Sequence, residues 1–319
     1  MSSYRTHDVA VRGGALRVGA WRSDDLPGGS VGAPDTGPVQ RVVLAVHGIT
    51  SSHLAWPLVA ERLTGTPGTL VLAPDLRGRG RSAGLPGPWG MAQHAEDLAA
   101  VLDQLAPGRR CVLAGHSMGG FVAVTLAAHR PELVRALVLV DGGVPLVLPE
   151  GWTMEAAAKA GLGPAAERLS MTFADRAAYR DFWRAHPAFA GEFSAAVQGY
   201  VDYDLVPDGP PWHSSCLPEA MAADHAEQFL DGPVDLAWPA VRAAVSFLRA
   251  PRGLQDEPGG LYPQHGLDYW RTRYPDLVSR DVAGVNHYTI TLGNTGADAV
   301  SAAIAEQFDS LGPAVPQAG

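Results

Sequence analysis

The chain has little cysteine, almost no lysine and no long apolar run, and each shortage excludes something. Cys111 and Cys216 are its two cysteines among 319 residues, too few for a disulfide framework, and Cys111 sits in an apolar run where it reads as a small buried hydrophobe. Lys159 is the one lysine, the formal net charge is -9 and the isoelectric point is near 5.6. With no block of Lys and Arg to neutralise phosphates, a nucleic-acid or anionic-membrane surface is not expected. No segment approaches the roughly 20 apolar residues that span a bilayer, and Met1 to Asp8 lacks the apolar core of a leader, so the sequence reads as that of a soluble cytoplasmic protein. The stretch Pro74-Asp75-Leu76-Arg77-Gly78-Arg79-Gly80-Arg81-Ser82 is rich in Gly and Arg, but it lacks the spacing and the Gly-Lys-Ser/Thr of a phosphate loop and reads as a structural loop. No His, Cys, Asp and Glu set has zinc spacing, so no metal is expected.

What is present is ample core material and an alternating pattern. Apolar residues make up 46% of the chain, sufficient for a large core. Val9–Arg12 and Ala15–Arg22, hinged at Gly13-Gly14, predict an antiparallel hairpin, and residues 23–40 a solvated loop. Continuous apolar runs at Arg41–Val46, Thr69–Ala73, Arg110–His116 and Leu133–Val140 predict strands buried on both faces of a parallel sheet. Between them, Met91, Ala95, Leu98, Val101, Leu102 and Leu105 recur at helical spacing, so the first 143 residues read as a doubly wound α/β unit.

From Val144 to about Leu236 the pattern changes to helical pieces, proline breaks and many aromatics, among them Trp152, Phe173, Tyr179, Trp183, Phe189, Tyr200 and Phe229. An insertion of that size and composition predicts a helical cap over residues 144–236 that supplies an apolar pocket, with most of its aromatics forming its own core. The sheet resumes at Ala244–Leu248 and Leu277–Val282, with helices over 264–273 and 297–308. The core domain is therefore expected over 1–143 and 237–319.

Gly115-His116-Ser117-Met118-Gly119-Gly120 joins the third parallel run to a helix of small residues. Gly-x-Ser-x-Gly at that joint is the pattern that holds a serine on a strained strand-to-helix turn with its hydroxyl exposed and a helix N-terminal amide, here that of Met118, beside it. A serine hydroxyl needs a base, normally a histidine oriented by a carboxylate. Ser117, Asp256 and His287 follow one another in the order Ser, acid, His, each just past a predicted strand. Asp141, which ends an earlier strand, and Glu257, adjacent to Asp256, are the alternative acids. His47-Gly48 at the end of the first parallel run offers the amide of Ile49 as a second oxyanion donor, while His47 and His116 read as residues that shape their turns.

On these residues, together with Asp75-x-Arg77-Gly78-x-Gly80-x-Ser82, Gly253-x-x-Asp256 and Asn286-His287, the sequence resembles the α/β-hydrolase fold superfamily, and in particular a capped bacterial serine esterase or lactonase. The resemblance implies an acyl-enzyme on Ser117, His287 as base, Asp256 as its orienting acid, and the amides of Ile49 and Met118 as the oxyanion hole. It implies a small-molecule ester or lactone substrate, no cofactor, and a monomer or homodimer. Ser rather than Asp at position 117 speaks against the dehalogenases and epoxide hydrolases of that fold. The alternatives are cleavage of an amide, thioester or carbon–carbon bond, or a non-hydrolytic role as a binding protein, lyase or cofactor-free oxygenase.

Overall fold

The structure is a computed structural model that describes residues 3–24, 39–147, 151–191, 193–206, 210–275 and 277–310. Most of the loop expected over 23–40 and parts of the expected cap lie outside the described residues. Strands β1 (Ser3–Val11) and β2 (Gly14–Arg22) form the expected hairpin, with β1 six residues longer at its start than the apolar pattern predicts. Then come β3 (Arg41–Val46), helix α1 (Pro57–Thr64), β4 (Thr69–Pro74), α2 (Met91–Leu105), β5 (Cys111–His116), α3 (Met118–His129) and β6 (Val134–Val140). Among the described residues, α-helices α4 (Met154–Ser170), α5 (Arg176–Arg184), α6 (Ala195–Asp204), α7 (Pro218–Ala226) and α8 (Pro233–Ala237) follow before the sheet resumes. The chain closes with β7 (Ala244–Arg249), α9 (Gln264–Arg273), β8 (Val278–Asp281), α10 (Thr289–Leu292) and α11 (Asn294–Ser310).

Among the described residues, eight strands form one sheet in the order β1-β2-β4-β3-β5-β6-β7-β8. The hairpin pairs antiparallel to β4, and every pair from β4 to β8 is parallel.

The continuous apolar runs are explained by burial on both faces, and the side chains divide with the two-residue period of a strand. Val42, Leu44, Leu70, Leu72, Cys111, Leu113, Leu137 and Leu139 point to one core, with α2 and α3. Val43, Ala45, Val71, Ala73, Val112, Ala114, Val138 and Val140 point to the other, with α1 and α11. Helix α3 is buried along almost its whole length, which suits a helix apolar on every side. The result is an α/β fold with a mostly parallel, doubly wound sheet, and the loops that follow β3, β5, β6 and β7 emerge at its carboxyl edge, where such sheets bind ligands.

The helices between β6 and β7 hold together through aromatics and one buried polar knot. Tyr179, Trp183, Phe189 and Tyr200 pack in a cluster of edge-on rings. Asp204 accepts from Arg168, from the hydroxyls of Tyr179, Ser214 and Ser215, and all of this is buried. Among the described residues no helix is long and apolar enough to cross a membrane, and both cysteines are free and buried.

Candidate active site

Ser117 stands between β5 and α3 with φ 52° and ψ -124°, a left-handed conformation costly for a residue with a side chain and retained only where the surroundings enforce it. The enforcement is steric and hydrogen-bonded. The Ser117 N–H donates to Val140 O at 3.0 Å, and its carbonyl accepts from Gly120 N at 2.9 Å. Gly119 explains the second glycine of the motif: a Cβ there would lie 2.1 Å from the carbonyl oxygen of Val46, so only glycine lets α3 start this close to β3. Met118 is the first residue of α3, and its N–H therefore has no partner within the helix and points from the positive end of the helix dipole.

The loop after β3 lies against the serine. A Cβ on Gly48 would come within 3.1 Å of Ser117 Cβ and 3.5 Å of its Oγ. The fully buried ring of His47 sets the orientation of the next peptide: Leu76 N–H donates to His47 Nε2 at 2.9 Å, which leaves the proton on Nδ1, and Nδ1 donates to Gly48 O at 2.7 Å. Since Gly48 O and Ile49 N–H belong to one planar peptide unit and point in opposite directions, this bond turns the Ile49 N–H away from His47. Burial pushes the His47 imidazole down to about 3, so the ring stays neutral and its tautomer is fixed.

His287 lies on the loop between β8 and α10. Its backbone carbonyl accepts from His116 Nε2 at 2.8 Å, and burial holds His116 well below the ordinary histidine range. The preceding Asn286 ties the loop down, its Oδ1 accepting from the N–H groups of Tyr288 and Thr289 at 3.0 and 2.9 Å.

The carboxylate at His287 Nδ1 is Asp141, not Asp256. His287 Nδ1 and Asp141 Oδ2 are 2.6 Å apart, both groups buried, and the other carboxylate oxygen accepts from Ala250 N at 3.1 Å. Asp141 directly follows β6, the neighbour of the elbow strand, and takes φ 47°, which carries its side chain in under the histidine loop. Asp256 is instead partly exposed. It accepts from Arg252 Nε at 2.8 Å and from Asn286 Nδ2 at 3.1 Å, and the Arg252 hydrogen bond holds its carboxyl below the usual range. It braces the histidine loop through Asn286 and leaves the imidazole to Asp141. Glu257 accepts from Gln255 N at 2.7 Å and is likewise turned to its own loop. A carboxylate on Nδ1 keeps the proton there and leaves Nε2 to act as a base.

Ser117, His287 and Ile49 share a cavity of about 360 Å³. Leu146, Val147, Trp152, Phe229, Leu254, Leu261 and Leu292 give it a largely carbon wall, and Thr50, Ser51, His116, Tyr200, His225, Gln228, Tyr288 and Thr291 are its polar members. Trp152, Tyr200, His225 and Phe229 come from the segment between β6 and β7, so that segment does wall the site, while Tyr179 stays in the segment's own packing and Phe189 packs against Tyr288 of the histidine loop. A second cavity of about 500 Å³ shares Leu254, Leu261 and Tyr288 with the first. Among the described residues no group of three His, Cys, Asp or Glu side chains is placed to hold a metal ion. Sequence reasoning overlooked Asn286 as the brace of the histidine loop; its position directly before the histidine was the available signal.

A family model described as alpha/beta hydrolase fold matches residues 41–175, which contain the elbow and Asp141. Over 111 residues the chain is 43% identical to lipase LipV of Mycobacterium tuberculosis, 35% of this chain and 40% of that protein. Over 96 residues it is 41% identical to the sn-1-specific diacylglycerol lipase ABHD11 of Danio rerio, 30% of each. The matched stretches thus span less than half of these curated relatives. Similarity to solved structures extends over nearly the whole chain: the thioesterase domain from the curacin biosynthetic pathway aligns with TM-score 0.70 at 20% identity over 95% of this chain and 99% of that one. The E-2-(acetamidomethylene)succinate hydrolase aligns with TM-score 0.72 at 22% identity over 96% of this chain and all of that one. With the eight-stranded sheet, the strained serine after β5 and the histidine loop after β8, these findings show that the chain has the α/β-hydrolase fold.

Proposed function

We propose that this protein is a serine hydrolase that cleaves a carboxylic ester or lactone of a mid-sized, largely apolar molecule. The observation that carries the reading is Ser117, strained on the elbow and facing the same cavity as His287, whose Nδ1 is held by the buried Asp141. In this reading His287 Nε2 takes the hydroxyl proton as Ser117 Oγ attacks the carbonyl carbon, and the amides of Ile49 and Met118 stabilise the oxyanion. His287 then returns the proton to the departing alkoxide oxygen as the acyl C–O bond breaks, and a water activated by the same imidazole hydrolyses the acyl-enzyme. No cofactor is needed for any step. Residues 144–236 serve as a cap on a core of residues 1–143 and 237–319, and their aromatic wall selects for apolar substrates. The lipase names of the sequence relatives support ester cleavage, and the lining of the cavity supports an apolar acyl or alkyl portion.

The test is intact-mass analysis after treatment with a serine-directed fluorophosphonate, with turnover of p-nitrophenyl butyrate and octanoate, for the wild type and for Ser117→Ala. One adduct on the wild type and none on the variant is expected, with kcat in the variant lower by roughly 10⁴ to 10⁶. Ester turnover that survives in Ser117→Ala, or a wild type that neither labels nor turns over, overturns the reading.

A further inference from the structure

Both residues assigned to the oxyanion hole touch one side chain that has no part in the mechanism above. Arg79, in the loop after β4, is fully buried. Its Nε donates to Ile49 O at 2.9 Å, its Nη1 to Arg77 O at 2.9 Å, and its Nη2 approaches Met118 Sδ at 3.8 Å. Nη1 also pairs at 2.5 Å with Asp224 Oδ2, and Asp224 is fully buried too. Asp224 lies on α7, in the segment between β6 and β7, and the next residue, His225, lines the catalytic cavity with Gln228 and Phe229. Asp224 is held by two further contacts: Gly90 N donates to Oδ1 at 2.6 Å, and His94 Nε2 lies 2.9 Å from Oδ2. The start of α7 meets the same loop, Leu217 N donating to Gly78 O at 3.0 Å.

We infer that Arg79 is a positioning residue, anchored by Asp224, that holds the oxyanion loop in place only while α7 is docked on the core. The inference rests on the assignment of Ser117, Ile49 and Met118 given above. The chemistry suits a guanidinium in particular. Its rigid planar fork serves two acceptors in different directions, so the position of the Asp224 carboxylate sets the direction in which Nε meets Ile49 O. Ile49 has two peptide groups. His47 orients the one before it, which carries the N–H, and Arg79 fixes the one after it, which carries the carbonyl; together they define the backbone at the donor. An ammonium in place of the guanidinium can reach Asp224 or Ile49 O but has no fork to span both. Without this tie, substrate would still find its apolar walls, while the charge that develops in the transition state would lose its donor geometry. Docking of α7, which walls the substrate cavity, is thereby coupled to assembly of the oxyanion hole.

The test compares wild type, Arg79→Lys and Asp224→Asn, with active sites counted by fluorophosphonate adduct. The measurements are kcat per counted site, KM, affinity for an alkyl trifluoromethyl ketone whose hydrate-like adduct carries the oxyanion, thermal melting, and hydrogen exchange of the peptide covering residues 47–55. The expected result is kcat per site lower by about 10- to 100-fold with KM within about threefold. Ketone affinity should fall in parallel, and exchange over 47–55 should rise, with less change for Asp224→Asn than for Arg79→Lys. A purely structural role would instead lower the melting temperature and the number of labelled sites, leaving kcat per site and ketone affinity unchanged, and that result overturns the inference. Should the wild type itself take no label and turn over no ester, the functional reading fails, and exchange over 47–55 decides the coupling alone: a rise confined to that peptide and to α7 upholds it, and no rise in either variant refutes it. If Arg79→Lys does not fold, Asp224→Asn carries the same measurements.

Discussion

Replacing Asp141 by Asn separates the two candidate acids by more than loss of charge. In the native site both carboxylate oxygens act as acceptors, Oδ1 from the Ala250 N–H at 3.1 Å and Oδ2 toward His287 Nδ1 at 2.6 Å. An Asn offers one acceptor and one donor. The backbone N–H of Ala250 can only donate, so the amide oxygen must stay on it and the amide nitrogen must face His287. Nδ1 is then forced to accept, the imidazole proton moves to Nε2, and the atom that should take the Ser117 proton already holds one. The fold is retained because shape and hydrogen-bond count are nearly conserved. A loss of about 10⁴ in kcat, equivalent to about 5 kcal/mol of transition-state stabilisation, is expected with KM little changed. Asp256→Asn is the matched control. Its pair with Arg252 is open to solvent, with 44% of the Arg252 side chain and 35% of the Asp256 side chain exposed, and such pairs contribute little, so activity should stay within about threefold of wild type. Steady-state hydrolysis of a p-nitrophenyl ester with melting curves for all three proteins decides the matter. A loss of 10³ or more in Asp256→Asn, with Asp141→Asn retaining a tenth or more of wild-type kcat, would refute the assignment of the acid to Asp141.

The sequence discloses the features that depend on neighbours along the chain and conceals those that depend on which strand lies beside which. The elbow is of the first kind: an apolar run, Gly-x-Ser-x-Gly and a helix of small residues must meet within about a dozen positions, and Gly119 is needed because Val46 passes directly under it. The parallel strands are of the same kind, since burial on both faces writes itself as unbroken runs such as Val42 to Val46. The acid is of the second kind. Asp141 and Asp256 both follow strands, both precede the histidine in the chain, and both adopt positive φ. What separates them is that β6 pairs with the elbow strand β5 while β7 lies one strand further out, and that Arg252 draws Asp256 toward solvent. Arg79 was hidden for a related reason. In sequence it is one of three arginines in a Gly-rich loop, and nothing along the chain shows that Asp224, 145 positions later in the numbering, meets it in the interior. The aromatics between β6 and β7 show the same limit: helical spacing cannot tell Tyr179, which packs inward, from Phe229, which walls the cavity.

Two further consequences follow from the buried groups of the site. Gly119→Ala places a Cβ 2.1 Å from the Val46 carbonyl, an overlap with backbone that no rotamer relieves, and should destabilise the protein by about 3 kcal/mol. Gly84→Ala, where no atom lies within 4 Å of the new Cβ, should stay within about 0.5 kcal/mol, and urea unfolding of the pair distinguishes steric loss from a general intolerance of the change. The second consequence concerns acid. Burial depresses His47 to about 3 and His225 to about 4, and holds His116 well below the usual range. Each refuses in the folded state a proton that the unfolded chain accepts below about pH 6.5. Because the unfolded state then binds more protons, stability falls with falling pH; it is level above about 6.5 and declines from there down to the folded values. Each unit of depression is worth about 1.4 kcal/mol, so His225 alone costs about 3 kcal/mol by pH 4. Asp75 adds to the loss lower down: burial works to raise its carboxyl, the His53 charge and hydrogen bonds outweigh that and bring it to about 2, and its contribution, complete above about 3.8, disappears as pH drops through that interval. Urea midpoints measured from pH 8 to pH 4 should therefore be flat above 7 and fall steeply below 6, with a shallower fall between 6 and 4 in His225→Phe, which removes one of the reluctant imidazoles from an apolar wall. A stability that stays constant from pH 7 to pH 4 would mean that these histidines are not buried as neutral groups, and with it would go the fixed tautomer of His47 on which the orientation of the Ile49 amide depends.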